Sequence, residues 1–140
     1  MTVHEYDALS RHEQPDITLT ALDHERLTSL AHAAMATMPE VASFLWDELE
    51  RAHVLPEGRR AHKTVCMGSK VQFRDECTQS LQTVLLVYPG EADIAVGKVS
   101  VLTPIGTALI GLAEGQSITW QTRTGVSKRL TVLTVEDPET

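Results

Sequence analysis

Around Leu55-Pro56-Glu57-Gly58-Arg59-Arg60 the chain changes the period of its apolar residues, and this change restricts the fold more than any other feature. Before the break, apolar residues recur at three- and four-residue steps, the spacing of one helix face. After it, polar and apolar residues alternate, the spacing of strands with one covered face. A chain patterned this way is neither one helical bundle nor one continuous sheet. The order predicts an α+β protein, with helices first and a sheet second. Residues 56–63, rich in Pro, Gly and charge, are the expected linker between a hairpin over 17–55 and a second domain over 64–137. Residues 1–16 are polar, show no sustained period, and read as a flexible N-terminal extension.

In the first half, Ile17-Thr18-Leu19 is a short β-like lead, and Thr20 followed by Asp23 approximates a capping box. A helix is predicted from Ala21 to about Thr37, with Leu27, Leu30, Ala31, Ala34, Met35 and Met38 on its apolar stripe. Met38-Pro39-Glu40 breaks it, because the residue before proline disfavours the helical region and proline itself can only open a new helix. The second helix is predicted from Glu40 to about His53, with Val41, Phe44, Leu45, Glu48, Leu49 and Ala52 on one face. Two such helices joined by so few residues predict an antiparallel hairpin, a short coiled coil whose arm reaches about 24 Å.

In the second half, Lys70 to Arg74 alternates, Asp75-Glu76 reads as a turn, and Leu81 to Tyr88 is strand-like. Pro89-Gly90 is a break, and Val99 to Leu102 and Leu130 to Val135 supply further strands. Between them, Val101 to Trp120 reads as strand, short helix, glycine turn and strand. Thr103 is placed to cap the helix, Pro104 stands at its first position, and Ser117 to Gln121 follows Gly111 and Gly115. The expectation is an antiparallel sheet of four to six strands with one short helix.

Composition and charge narrow the function. Aromatic residues make up 4% of the chain, so few flat side chains exist to wall a ligand pocket. No run approaches the roughly 18 apolar residues of a membrane span, and the N-terminus lacks the features of a secretory signal, so no membrane partner and a cytoplasmic location are expected. Residues 1–55 carry ten acidic and three basic side chains, whereas residues 56–140 carry nine of each. The acidic half repels phosphate backbones, which argues against direct nucleic-acid binding and favours a basic protein surface or channel.

No catalytic or cofactor motif is present: there is no G-x-S-x-G, P-loop, H-E-x-x-H or dinucleotide fingerprint, and neither a cofactor nor a metal is expected. His4 and His12 in the extension, and His24 and His32 on the first helix, lack the spacing of a joint metal site and read as surface residues; His53 and His62 flank the linker without an evident partner. Asp47, Glu48 and Glu50 point in different directions on a helix, so they form a solvated acidic face. Arg59, Arg60 and Lys63 read as a solvated basic knot, and Cys66 and Cys77 as two reduced thiols.

Thr103-Pro104-Ile105-Gly106, with Ala108-Leu109, Gly111-Leu112, Gly115 and Thr124-Gly125-Val126, resembles the C-terminal domain of the Gre transcript-cleavage factors, which has an FKBP-like fold. Upstream, Ile17 to Leu27, Asp47-Glu48-Leu49-Glu50-Arg51-Ala52, Met67 to Arg74 and Val87-Tyr88-Pro89 resemble the regulator of nucleoside diphosphate kinase (Rnk) family, short-armed relatives of Gre. The resemblance implies a non-enzymatic transcription regulator that binds bacterial RNA polymerase near its secondary channel. It gives Thr103, Pro104, Ile105 and Gly106 the role of a polymerase-docking turn, and it points the hairpin inward with Thr37, Met38, Pro39 and Glu40 at its tip. Cleavage-stimulating relatives carry two acids at the tip of a longer arm. Here Glu40 is the only acid, so cleavage stimulation is not expected. The alternatives are a true Gre-type cleavage cofactor and an FKBP-like peptidyl-prolyl isomerase.

Overall fold

The structure, a computed structural model, describes residues 14–122 and 124–138. Strand β1 (Thr18–Leu19) leads into helix α1 (Ala21–Ala34), and α2 (Pro39–Arg51) runs into β2 (His53–Val54). Thr20 caps α1 by accepting the Asp23 N–H at 3.0 Å, and Pro39 opens α2 at a position where its missing N–H costs nothing. β1 and β2 pair in parallel, Thr18 opposite His53 and Leu19 opposite Val54. Because β1 precedes α1 and β2 follows α2, this pairing joins the outer ends of the helices, so the two run back along one another. By helix rise, the fourteen residues of α1 span about 21 Å.

The helices bury Leu27, Ala31 and Ala34 from α1, and Ala42, Leu45 and Leu49 from α2. Met35 and Met38, which periodicity assigns to the same stripe, are 36% and 43% exposed. Periodicity fixes which way a side chain points, but another element must be present to cover it.

The second half forms a five-stranded sheet from β3 (Lys70–Asp75), β4 (Ser80–Val87), β5 (Lys98–Ser100), β6 (Ser117–Gln121) and β7 (Ser127–Glu136), with α3 (Pro104–Leu109) between β5 and β6. The strand order is β5-β4-β3-β7-β6. The β3–β4, β3–β7 and β6–β7 pairs are antiparallel, but β4 and β5 are parallel, with Leu85 opposite Lys98. The expected antiparallel sheet therefore has a parallel edge. Two 3-10 turns, Pro89–Glu91 and Ile94–Val96, carry the chain back so that β5 enters from the same end as β4. Alternation reads the same in either direction, which is why the sequence did not reveal it.

A bulge shapes the centre of the sheet. Gln72 faces Thr134 while Phe73 faces Val132, which leaves Leu133 as the extra residue. The inward set of β7 accordingly steps from Leu130 and Val132 to Val135. One buried cluster joins both halves, taking Leu27, Leu45 and Leu49 from the helices, Phe73, Leu86, Ile118 and Val132 from the sheet, and Leu109 and Leu112 from around α3. Phe73 is the one aromatic among the fully buried side chains of the described residues.

Candidate functional site

The candidate residues fall on the turn that opens α3 and on the tip of the helical arm, and a seam fixes the arm to the sheet. At the turn, Thr103 is extended, and its Oγ1 both donates to the Ser100 carbonyl at 2.7 Å and accepts the Gly106 N–H at 3.0 Å. Buried Thr107 donates to the Val101 carbonyl at 2.8 Å. Gly106 lies so close to the end of β5 that an added Cβ would stand 2.2 Å from the Ser100 carbonyl oxygen. The turn is thus locked to the strand it follows. It displays Pro104, which is exposed, and one side of Ile105, which otherwise packs against the core. No ionisable side chain occurs from Val101 to Ala113, so the turn presents an uncharged surface.

At the tip, Thr37, Met38, Pro39 and Glu40 are all exposed. The Thr37 and Met38 N–H groups donate to the Ala34 carbonyl at 3.1 and 2.7 Å, which closes the end of α1. Ser43 Oγ donates to Met35 Sδ at 3.8 Å between the two helices. Glu40 lies in the first turn of α2, where the helix N-terminus favours a negative charge. The tip and the turn belong to separate elements, and each is held by local bonds.

The seam was missed by sequence reasoning. Buried Asp23 accepts the Met67 N–H on Oδ2 at 3.0 Å, tying the start of α1 to the chain that enters β3. Burial pushes its carboxyl above the usual carboxylate range, against the pull of that bond and of Arg26 and Arg60. Glu48 is 3% exposed rather than part of a solvated acidic face. Arg51 grips both its oxygens, at 2.7 and 3.1 Å, and also donates to the Pro15 carbonyl. Burial raises the Glu48 pKa and the Arg51 contact partly offsets this. The signal for Glu48 was present: it stood on an otherwise apolar stripe, three residues before an arginine.

At the sheet side of the seam, Gly111 adopts φ 82°, and an added Cβ would meet Ile17 Cβ at 2.8 Å. The Gly111 carbonyl accepts from Thr18 N–H and its N–H donates to Val65, so three segments meet at one residue. His24, read as a surface residue, is half-buried and donates from Nε2 to the Leu49 carbonyl at 3.1 Å, bridging the helices at their base.

His32, His53 and His62 are exposed, and His4 and His12 lie outside the described residues. Among the described residues no group of three or more His, Cys, Asp and Glu side chains can hold a metal ion. Cys66 and Cys77 are free thiols. The basic knot is partly paired, Arg60 with Asp137 at 3.6 Å and Lys63 with Glu114 at 3.7 Å. An open groove of about 720 Å³ lies along Leu22, Glu25, Arg26, Ser29, Leu30 and Tyr88, away from both the turn and the tip. It contains a single aromatic ring, since Phe73 is buried in the core and Trp120 stacks on Phe44 at 6.5 Å. No helix among the described residues is long and apolar enough to cross a membrane.

Comparison with known proteins places this geometry. Residues 60–137 match the family described as transcription elongation factor, GreA/GreB, C-term, and residues 15–55 match the Rnk N-terminus. The regulator of nucleoside diphosphate kinase of Escherichia coli K12 is 36% identical over 124 residues, covering 88% of this chain and 90% of that protein. Transcription elongation factor GreA of Thermodesulfovibrio yellowstonii is 38% identical over 72 residues, which span 51% of this chain and 46% of GreA. Among solved structures, a prokaryotic transcription elongation factor GreA/GreB from Nitrosomonas europaea is 35% identical with a TM-score of 0.67, covering 89% of this chain and all of that one. The chain therefore belongs to the family of the regulator of nucleoside diphosphate kinase, with an Rnk N-terminus preceding a Gre-type C-terminal domain.

Proposed function

We propose that this protein is a non-enzymatic transcription regulator that docks on bacterial RNA polymerase at the mouth of the secondary channel. Thr103, Pro104, Ile105 and Gly106 form the docking turn. The arm, with Thr37, Met38, Pro39 and Glu40 at its tip, points into the channel without stimulating transcript cleavage. The observation that carries this reading is the pairing of a rigid, uncharged turn displaying Pro104 and Ile105 with an arm of about 21 Å. Membership in a family related to elongation factors supports the choice of partner. The tip supplies no second acid next to Glu40, so it offers one carboxylate where a cleavage factor would bring two to a metal ion.

Retention on immobilised core polymerase tests the docking step. Wild-type chain is retained, Pro104→Ala and Ile105→Asp lower retention, and a long-armed channel factor displaces it. A cleavage assay on backtracked complexes shows no stimulation above polymerase alone. Equal retention of the wild type and both turn variants would overturn the assignment of the docking surface.

A further inference from the structure

Of the three methionines among the described residues, Met67 is half-buried against the core, whereas Met35 and Met38 stand exposed together at the apex of the arm. The fold makes little use of either apical side chain. Met38 occupies the N-cap of α2 with no side-chain bond, and Met35 closes α1 with only its sulfur engaged, as a weak acceptor for Ser43 Oγ at 3.8 Å. With exposed Thr37 and Pro39 beside them, the two thioethers give the apex an apolar, polarisable surface that solvent-borne reagents can reach.

We propose that Met35 and Met38 are a reversible oxidation site that sets the polarity of the arm's tip. The co-reactant is a peroxide. A sulfur lone pair attacks one peroxide oxygen and forms the S–O bond as the O–O bond breaks. The oxygen now bonded to sulfur gives up its proton as the thioether becomes the sulfoxide, and the other peroxide oxygen takes that proton and leaves as water. The product is polar where the thioether was apolar, and enzymes that reduce methionine sulfoxides can reverse the change. At Met35 the new oxygen is a stronger acceptor than sulfur for the Ser43 hydroxyl, so oxidation also alters the tie between the two helices near the tip. The consequence for docking rests on the polymerase reading above: a polar tip enters the channel less favourably, and retention falls.

The test treats the full chain with limiting hydrogen peroxide, then with dithiothreitol to restore Cys66 and Cys77. Peptide masses are mapped and retention on core polymerase is measured. Met35 and Met38 gain oxygen before Met67, retention falls several-fold, and a methionine sulfoxide reductase restores it. The M35L/M38L double variant is retained equally with and without peroxide. Oxidation of Met67 at the same rate as the apical pair would overturn the site. Undiminished retention of the oxidised wild type would overturn its role at the tip. Failure of the untreated chain to bind polymerase defeats the docking reading instead, and the peptide map then decides the oxidation site by itself.

Discussion

At Gly106 two effects of an added methyl group can be weighed. Alanine is the better helix former by about 1 kcal/mol, but here its Cβ would lie 2.2 Å from the backbone oxygen of Ser100, which no rotamer change can move aside. The overlap wins, so Gly106→Ala is expected to lower stability by about 1–3 kcal/mol, read as a lower urea midpoint at unchanged m-value. The buried carboxylate Asp23 shows a different balance. Its folded pKa is raised, chiefly by burial, so the native state binds a proton more readily than the unfolded chain, and the cost of keeping Asp23 charged grows as pH rises through that raised value. Asp23→Asn keeps an acceptor for the Met67 N–H and removes the charge. Its stability relative to wild type should therefore improve from pH 4 to pH 7, as followed by urea unfolding at each pH. A difference that stays constant or shrinks with rising pH would contradict this account. Glu76, whose carboxyl Arg74 and Thr131 lower to about 2, makes the same pH-dependent contribution in both proteins and cancels from the difference.

Within α3, adjacent residues divide the work of building the turn and displaying it. Thr103 is bonded on both sides, so Thr103→Ala should cost about 1–2 kcal/mol, whereas Thr103→Ser, which keeps the hydroxyl, should cost a small fraction of that. Pro104 is exposed and makes no comparable bond, so Pro104→Ala should change thermal stability by less than about 1 kcal/mol while lowering retention on polymerase. A variant that lost both together would merge the two roles. The start of this element and the bounds of β6 were legible because their signals are local: a capping threonine, a proline at the first helical position, and glycines ahead of the strand. The starts of the two long helices were legible for the same reason, through Thr20 and Pro39. Long-range pairing was not. The parallel entry of β5, the bulge at Leu133 and the burial of Glu48 each depend on which segment arrives alongside, and a single strand or helix face carries no record of its neighbour. The Thr103–Gly106 turn could be picked out by resemblance, but the seam that fixes its relation to the arm became visible only through contacts among residues far apart in sequence.

Over the whole molecule, the break at Leu55–Arg60 divides two sequence patterns without dividing the core. Ile17 packs against Gly111, Asp23 reaches Met67, α2 packs on α3, and Phe44 of α2 stacks on Trp120 of β6. An arm fixed at its base by several independent contacts holds its tip at a set angle to the Thr103–Gly106 turn, whereas an arm on a free linker would lose that relation. The physical requirement is that neither half retains its packing once the other unfolds, since each covers apolar surface the other needs buried. The full chain should therefore unfold in one transition. Far-UV circular dichroism, weighted toward the helices, and fluorescence from Trp46 on α2 and Trp120 on β6 should give the same urea midpoint. Two separated midpoints, with ellipticity lost before the Trp120 signal, would show that the arm melts from a surviving sheet and would reduce the seam to a loose contact. Coincident midpoints in the wild type that separate in Ile17→Ala would identify the Ile17–Gly111 contact as the joint through which the two halves stabilise one another.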